Sequence, residues 1–243
     1  VLQSLLALAQ DEKVDVRLRS DAAQSLGMLG DVNEAAGILL ALAGDQTAGF
    51  WVRSDAAEAL GELGLVDEAA HILLELARDE EANAGARSTA VQALGQSGCA
   101  DEIVLNGLLG LAQDSKVDAG VRGDAAQSLG QLGCSADETV LSGLLGLVRD
   151  EKVDAGVRSA AAQALGQLRR VDEAVLNGLL GLMRDEKVDV WVRIDVSQAL
   201  GQLGRVDDVV LNGLLGLARN EKMGLSIRNA AYHDLRLLLG EGK

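Results

Sequence analysis

The segment VRSDAAEALGELG at residues 52–64 returns as VRGDAAQSLGQLG at 121–133, VRSAAAQALGQLR at 157–169 and VRIDVSQALGQLG at 192–204. Weaker copies stand at 18–30, 86–98 and 227–239. The arginines that anchor them are Arg19, Arg53, Arg87, Arg122, Arg158, Arg193 and Arg228, spaced by 34, 34, 35, 36, 35 and 35 residues. That period limits the fold more than any single motif does. It divides the chain into about seven units, each too small to bury its apolar residues alone, so each must stack on its neighbours.

Every unit carries two helical patterns. The first is Leu-rich, as in EAVLNGLLGLMRD at 173–185. Asp172 precedes it as an N-cap that accepts an orphan backbone N–H, and Asp101, Asp137 and Asp207 stand similarly. The second begins at the Val-Arg pair. On a helical wheel Val157, Ala161, Ala164, Leu165 and Leu168 make one apolar stripe. Gly30, Gly64, Gly98, Gly133 and Gly204 follow this helix, where a left-handed residue ends it at little cost, and Arg169 breaks that rule. Composition agrees: proline is absent, aromatics are 2%, and alanine, leucine and glycine favour helix over strand. The expected fold is all-α, an α-solenoid of about seven two-helix repeats forming one domain over residues 1–243.

The pattern V-R-x-x-A-A-x-A-L-G-x-L-G resembles short bacterial HEAT-like repeats, the kind also called phycobilisome-lyase-type repeats, and the resemblance covers essentially the whole chain. It implies a right-handed solenoid whose second helices line the inner curve. Two departures stand out. No proline marks the first helix, and the period exceeds the roughly 30 residues common in the short form, so roomier loops are expected. Tetratricopeptide and ankyrin signatures do not fit. The near-identical array also resembles the repeat region of bacterial NACHT-type signalling NTPases. Val1 already lies in a helical pattern, so the sequence reads as a segment of a longer protein.

LNGLLGL occurs at 105–111, 176–182 and 211–217, with LSGLLGL at 141–147. A glycine inside a helix costs about 0.8–1 kcal/mol relative to alanine. The position of Gly213 is Ser4, Ile38 and Ile72 in the first three units, and that of Gly216 is Ala7, Ala41 and Glu75. Positions that accept isoleucine and glutamate impose no strict need for close approach, and no G-K-[ST] follows to suggest a phosphate loop. Duplication of one Gly-bearing unit is the expected reason.

Asp15, Asp118, Asp154 and Asp189 precede their arginines by four residues, and the expectation is a structural ladder of ion pairs. Two rows on the second helix point to binding. One reads Gln24, Glu58, Gln92, Gln127, Gln163, Gln198, His233, and the other, four residues later, Met28, Glu62, Gln96, Gln131, Gln167, Gln202, Leu237. Glutamine both donates and accepts, so a row of amides suits a peptide backbone, although glutamine is also a common neutral helix former. Trp51 and Trp191 share one position just before this helix, where other units have Arg17, Gly85, Gly120, Gly156 and Ser226. A position so tolerant is not core. Each tryptophan is either an exposed anchor of the kind enriched in interfaces or a cover for its own loop.

The net charge of −15 repels phosphate backbones and anionic membranes, so neither nucleic acid nor membrane is an expected partner. A basic segment is favoured instead. His71 and His233 lie in different units, and no zinc spacing or nucleophile motif appears. In the HEAT-like group the hydroxylase acting on deoxyhypusine holds iron with His-Glu pairs, which are missing here. No catalytic residue, metal or cofactor is expected. Cys99 and Cys134 fall in equivalent loops of adjacent units, too far apart to bridge, so free thiols in the cytoplasm are expected. The sequence thus reads as a non-enzymatic scaffold that holds a protein or peptide segment on its second-helix surface, the alternative being a phycobilin-lyase-like chromophore-handling protein.

Overall fold

The computed structural model describes residues 1–133, 138–168, 173–185, 187–203, 208–221 and 223–239. Among these are fourteen helices and no strand. They pair as expected. The first helices are α1 (Leu2–Gln10), α3 (Val32–Gly44), α5 (Val66–Arg78), α7 (Glu102–Gln113), α9 (Glu138–Arg149), α11 (Glu173–Arg184) and α13 (Asp208–Arg219). The second helices are α2 (Val16–Met28), α4 (Phe50–Glu62), α6 (Ala84–Ser97), α8 (Ala119–Leu132), α10 (Ala155–Gln167), α12 (Val190–Gln202) and α14 (Leu225–Leu238). The fold is an all-α repeat solenoid. Two compact units divide it, Val1–Gly107 and Leu108–Lys243.

Five residues separate the two helices of every pair, for example 11–15 and 150–154, and side chains fix this loop twice. The aspartate that opens it accepts a hydrogen bond from the backbone N–H two residues on: Asp11 from Lys13 at 3.0 Å, Asp45 from Thr47 at 2.8 Å, Asp150 from Lys152 at 2.9 Å. The residue that closes it caps the second helix. Asp15, Asp118, Asp154 and Asp189 accept from the N–H groups of Arg17, Gly120, Gly156 and Trp191, and Asn83 accepts from Ala86. Both devices satisfy donors that a helix start or a tight turn would leave unpaired.

The arginines do not form the expected ladder with these aspartates, which are occupied as caps. Each arginine instead donates its Nε–H to the backbone carbonyl ten residues earlier, in the last turn of its own first helix. The acceptors are Ala9, Ala43, Ala77, Ala112, Val148, Met183 and Ala218, at 2.8–3.2 Å. The last carbonyls of a helix lack intrahelical donors and sit at its negative end. A guanidinium there answers both needs, which is why Arg122, Arg158 and Arg193 tolerate burial. One contact with a carboxylate does accompany these bonds: Arg53 approaches Asp79 of the next repeat at 3.9 Å.

Connections between repeats vary where those within repeats do not. In the first unit α2 leads to α3, and α4 to α5, through three residues (29–31 and 63–65). Gly30 and Gly64 turn there at φ 105° and 90°. So short a link keeps each second helix packed on the first helix that follows, more than on the next second helix. In the second unit five residues separate α8 from α9, α10 from α11 and α12 from α13. There α10 packs directly against α8 and α12. A Cβ on Gly130 would lie 2.7 Å from the backbone of Ala164, and one on Gly166 equally close to Ala199. The expected left-handed ends are present at Gly98 and Gly133 as well, and Asp101 caps α7 through the N–H of Val104 at 2.7 Å. Gly204, Arg169, Asp137, Asp172 and Asp207 lie outside the described residues.

The LNGLLGL glycines separate into two kinds, and duplication explains only one. A Cβ on Gly110, Gly146, Gly181 or Gly216 would meet nothing within 4 Å. On Gly107, Gly143, Gly178 and Gly213 it would lie 2.5–3.0 Å from a leucine methyl of the preceding first helix, Leu74, Leu109, Leu145 and Leu180 respectively. The first three repeats hold Ser4, Ile38 and Ile72 at that place, so side chains there are tolerated only with a different partner packing.

These contrasts set opposite signs for one substitution. Gly146→Ala and Gly181→Ala are each expected to stabilise the chain by about 0.5–1 kcal/mol. Gly130→Ala and Gly166→Ala are expected to destabilise it by about 1–3 kcal/mol, because helix backbone cannot yield as a leucine methyl can. Denaturant unfolding checks this; the same sign at all four positions would remove the distinction.

Candidate functional site

On α4 the residues Trp51, Asp55, Glu58 and Glu62 recur every three or four positions and so share one face. Trp51, Glu58 and Glu62 are exposed. The same stripe on α6 is Gly85, Thr89, Gln92 and Gln96. Because α4 and α6 each pack on α5, they do not close on one another, and a groove of about 480 Å³ lies between them. Gly61 illustrates the opening: its missing Cβ would touch only Ala69 of α5, at 3.7 Å. Ala57, Ala69, Leu73 and Ala93 make the apolar lining, while Glu58 and Glu62 on one wall face Gln92 and Gln96 on the other. Four of the sequence-derived site residues thereby meet at one place.

The acidic wall is under electrostatic tension. Burial, then the charges of Asp55 and Glu62, raise the Glu58 carboxyl above its ordinary value. Glu62 has a donor of its own, the Gln24 amide at 2.5 Å. Beyond the groove end, Trp51 is 45% exposed and meets Phe50 edge-to-face, centroids 5.5 Å apart and planes at 82°. It stands as an accessible ring. A groove with paired carboxylates, facing amides, an apolar floor and an exposed aromatic suits a cationic side chain with a long aliphatic stem.

In the second unit the amides are more committed. Gln127, Gln163 and Gln167 are half-buried, and Gln163 donates to Asp195 of the next repeat at 3.0 Å. Gln131, Gln167 and Gln202 line a cleft of about 380 Å³ with Gly130, Gly133 and Gly166. Gln198 is exposed, and Trp191 is 68% exposed.

Two titratable pairs escaped the sequence reading. His71 Nε2 lies 2.7 Å from Asp101 Oδ2. Burial raises the Asp101 carboxyl, but the Val104 N–H and His71 outweigh it and hold it below the usual value. Ser197 donates to the buried Asp234 at 2.5 Å, and burial pushes that carboxyl up. Position within the repeat was the available signal: Asp234 stands where Ala59, Ala93, Ala164 and Ala199 stand elsewhere. Cys99 is a buried free thiol, raised by burial and in contact with Asp67 at 3.4 Å; Cys134 lies outside the described residues. Among the described residues no three His, Cys, Asp or Glu side chains gather as metal ligands, and no helix is long and apolar enough to cross a membrane.

A family model described as HEAT repeats matches residues 2–95 and 73–166. No curated protein matches in sequence. Among solved structures, human deoxyhypusine hydroxylase in complex with glycerol is 20% identical over 98% of this chain and 84% of its own, with a TM-score of 0.48. Kap121p bound to RanGTP is 13% identical over 98% of this chain and 29% of its own, at 0.50. A designed armadillo repeat protein in complex with peptide (KR)4 is 14% identical over 98% and 99%, at 0.42. Such likeness concerns the fold. The first of these corrects the expectation that the chain is not an enzyme: a hydroxylase is among the solenoids it resembles, so stacked helix pairs do not by themselves exclude catalysis.

Glu58 makes the groove's electrostatics measurable. Its raised carboxyl means that the folded chain holds this proton more tightly than the unfolded chain. Ionised Glu58 therefore opposes folding above the raised value, and the opposition fades as pH falls toward the ordinary carboxylate range. Glu58→Gln is expected to raise the melting temperature at pH 7 and to lose that advantage near pH ~4. An equal shift at both pH values would show that the neighbouring charges do not act on it.

Proposed function

The chain belongs to the HEAT-repeat family, and from that premise we propose that it binds an extended, basic protein segment along the exposed faces of its second helices. The reading rests above all on the groove between α4 and α6, where Glu58 and Glu62 oppose Gln92 and Gln96 over an apolar floor. A lysine or arginine of the partner lies with its stem against Ala57 and Ala93 and its charge beside the two carboxylates. Trp51 caps the stem, and the glutamines hold the partner's backbone. The formal charge of −15 steers such a segment in, faster at low salt. The near-identity of the later repeats suits the sensor region of a larger signalling NTPase, and the proposal extends to that role. A bilin has less to hold it here, since the groove lining contains no aromatic side chain.

Labelled peptides of about a dozen residues, long enough to cross several repeats at about 3.3 Å per residue, test this by fluorescence anisotropy. A Lys/Arg-rich peptide is expected to bind and an acidic peptide of equal length is not. Trp51→Ala and the pair Glu58→Gln/Glu62→Gln are each expected to weaken binding by about 1 kcal/mol or more, roughly fivefold, with little change in melting temperature. Both variants binding like the parent would sink the proposal.

A further inference from the structure

The repeats supply internal controls for burial. The residue before each anchoring arginine is buried wherever a repeat precedes it in the same unit: Val52, Ala86, Val157, Val192 and Ile227. In the first repeat the equivalent residue, Leu18, is 54% exposed. At the start of the first helix Ala35, Ala69, Val140, Val175 and Val210 are buried, yet Val1 is 90% exposed. Leu42, Leu76, Leu147 and Leu217 are buried, yet Leu8 is exposed. The local structure is the same in each case, with the same five-residue loop and the same Arg-to-carbonyl bond. What differs is the helix pair in front.

The other end of the array is built differently. Four residues after the arginine, Ala23, Ala57, Val91, Ala126, Ala162 and Ser197 are all buried, but Tyr232 fills that place in the last repeat and is 60% exposed. Eight residues after it stand Gly27, Gly61, Gly95, Gly130, Gly166 and Gly201, and then Arg236. This is the glycine that lets Ala164 and Ala199 approach in the second unit. A large side chain at both positions closes the trailing face of α14 to another repeat in the same register. A second copy of this chain therefore has no fitting surface to lay against Leu18 by head-to-tail stacking.

We infer that the apolar face formed by Val1, Leu8 and Leu18 is the seat of a further HEAT-type helix pair, carried ahead of Val1 in the same polypeptide. The repeat frame specifies that pair. Its arginine stands 34–36 residues before Arg19, as in the spacings seen here. Small residues follow four and eight positions later, and its second helix joins α1 through a short link. The inference does not rest on the groove or on what binds there.

The codons upstream of Val1 give the first test: they are expected to encode that arginine with its small residues, and an upstream segment without the pattern overturns the inference. The second test is physical. In the polypeptide that includes the upstream segment, the α1 amides and Leu18 are expected to become protected from hydrogen exchange by about tenfold or more relative to residues 1–243, and binding of an apolar dye is expected to fall. Leu18→Glu should abolish both gains while leaving the melting temperature of residues 1–243 unchanged. Unchanged protection overturns the proposal. So does concentration-dependent dimerisation of residues 1–243 that Leu18→Glu abolishes, because the face then belongs to a second copy.

Discussion

A single hydrogen bond, repeated seven times, holds each helix pair together: arginine Nε–H to the backbone carbonyl ten residues before it. It joins the first turn of the second helix to the last turn of the first, across a loop that is always five residues long. The acceptor is an orphan carbonyl at the negative end of a helix, so the bond is charge-assisted without needing a carboxylate. That frees the nearby aspartates to cap helices and tighten turns. The pair becomes a nearly fixed piece, and variation is displaced to the links between pairs.

Those links decide where a groove can form. Three-residue links in the first unit hold each second helix against the following first helix, so α4 and α6 stay apart over α5. Five-residue links in the second unit accompany direct packing of second helices, glycine against alanine backbone. The same row of glutamines therefore has two fates. Gln92 and Gln96 line an open groove, whereas Gln163 is drawn into a contact with Asp195. A difference of one or two residues in repeat length thus becomes a difference in accessible chemistry.

Much of this was legible in the sequence. The period, the helix pairs, the left-handed glycines and the cap at Asp101 follow from side-chain pattern, and the exposure of Trp51 follows from the tolerance of its position. The arginine partner was not legible, because a backbone carbonyl leaves no mark on residue identity while an aspartate four residues away does. The two kinds of LNGLLGL glycine were not legible either: Gly143 and Gly146 look alike until the neighbouring helix places Leu109 against one of them. The groove escaped for a related reason. Glu58 and Gln92 lie in one row on paper, but whether a row is a wall or a seam depends on how far apart two helices stand.

The arginine bonds can be observed without altering the chain. Nitrogen-15 NMR of the guanidinium Nε–H groups, with hydrogen exchange followed at low and high salt, separates a carbonyl acceptor from a carboxylate. The expected result is seven Nε–H resonances protected from exchange and insensitive to salt, since the acceptors belong to helix ends. Exchange as fast as that of a free arginine, or protection that salt removes, would contradict the account and return the arginines to surface ion pairs.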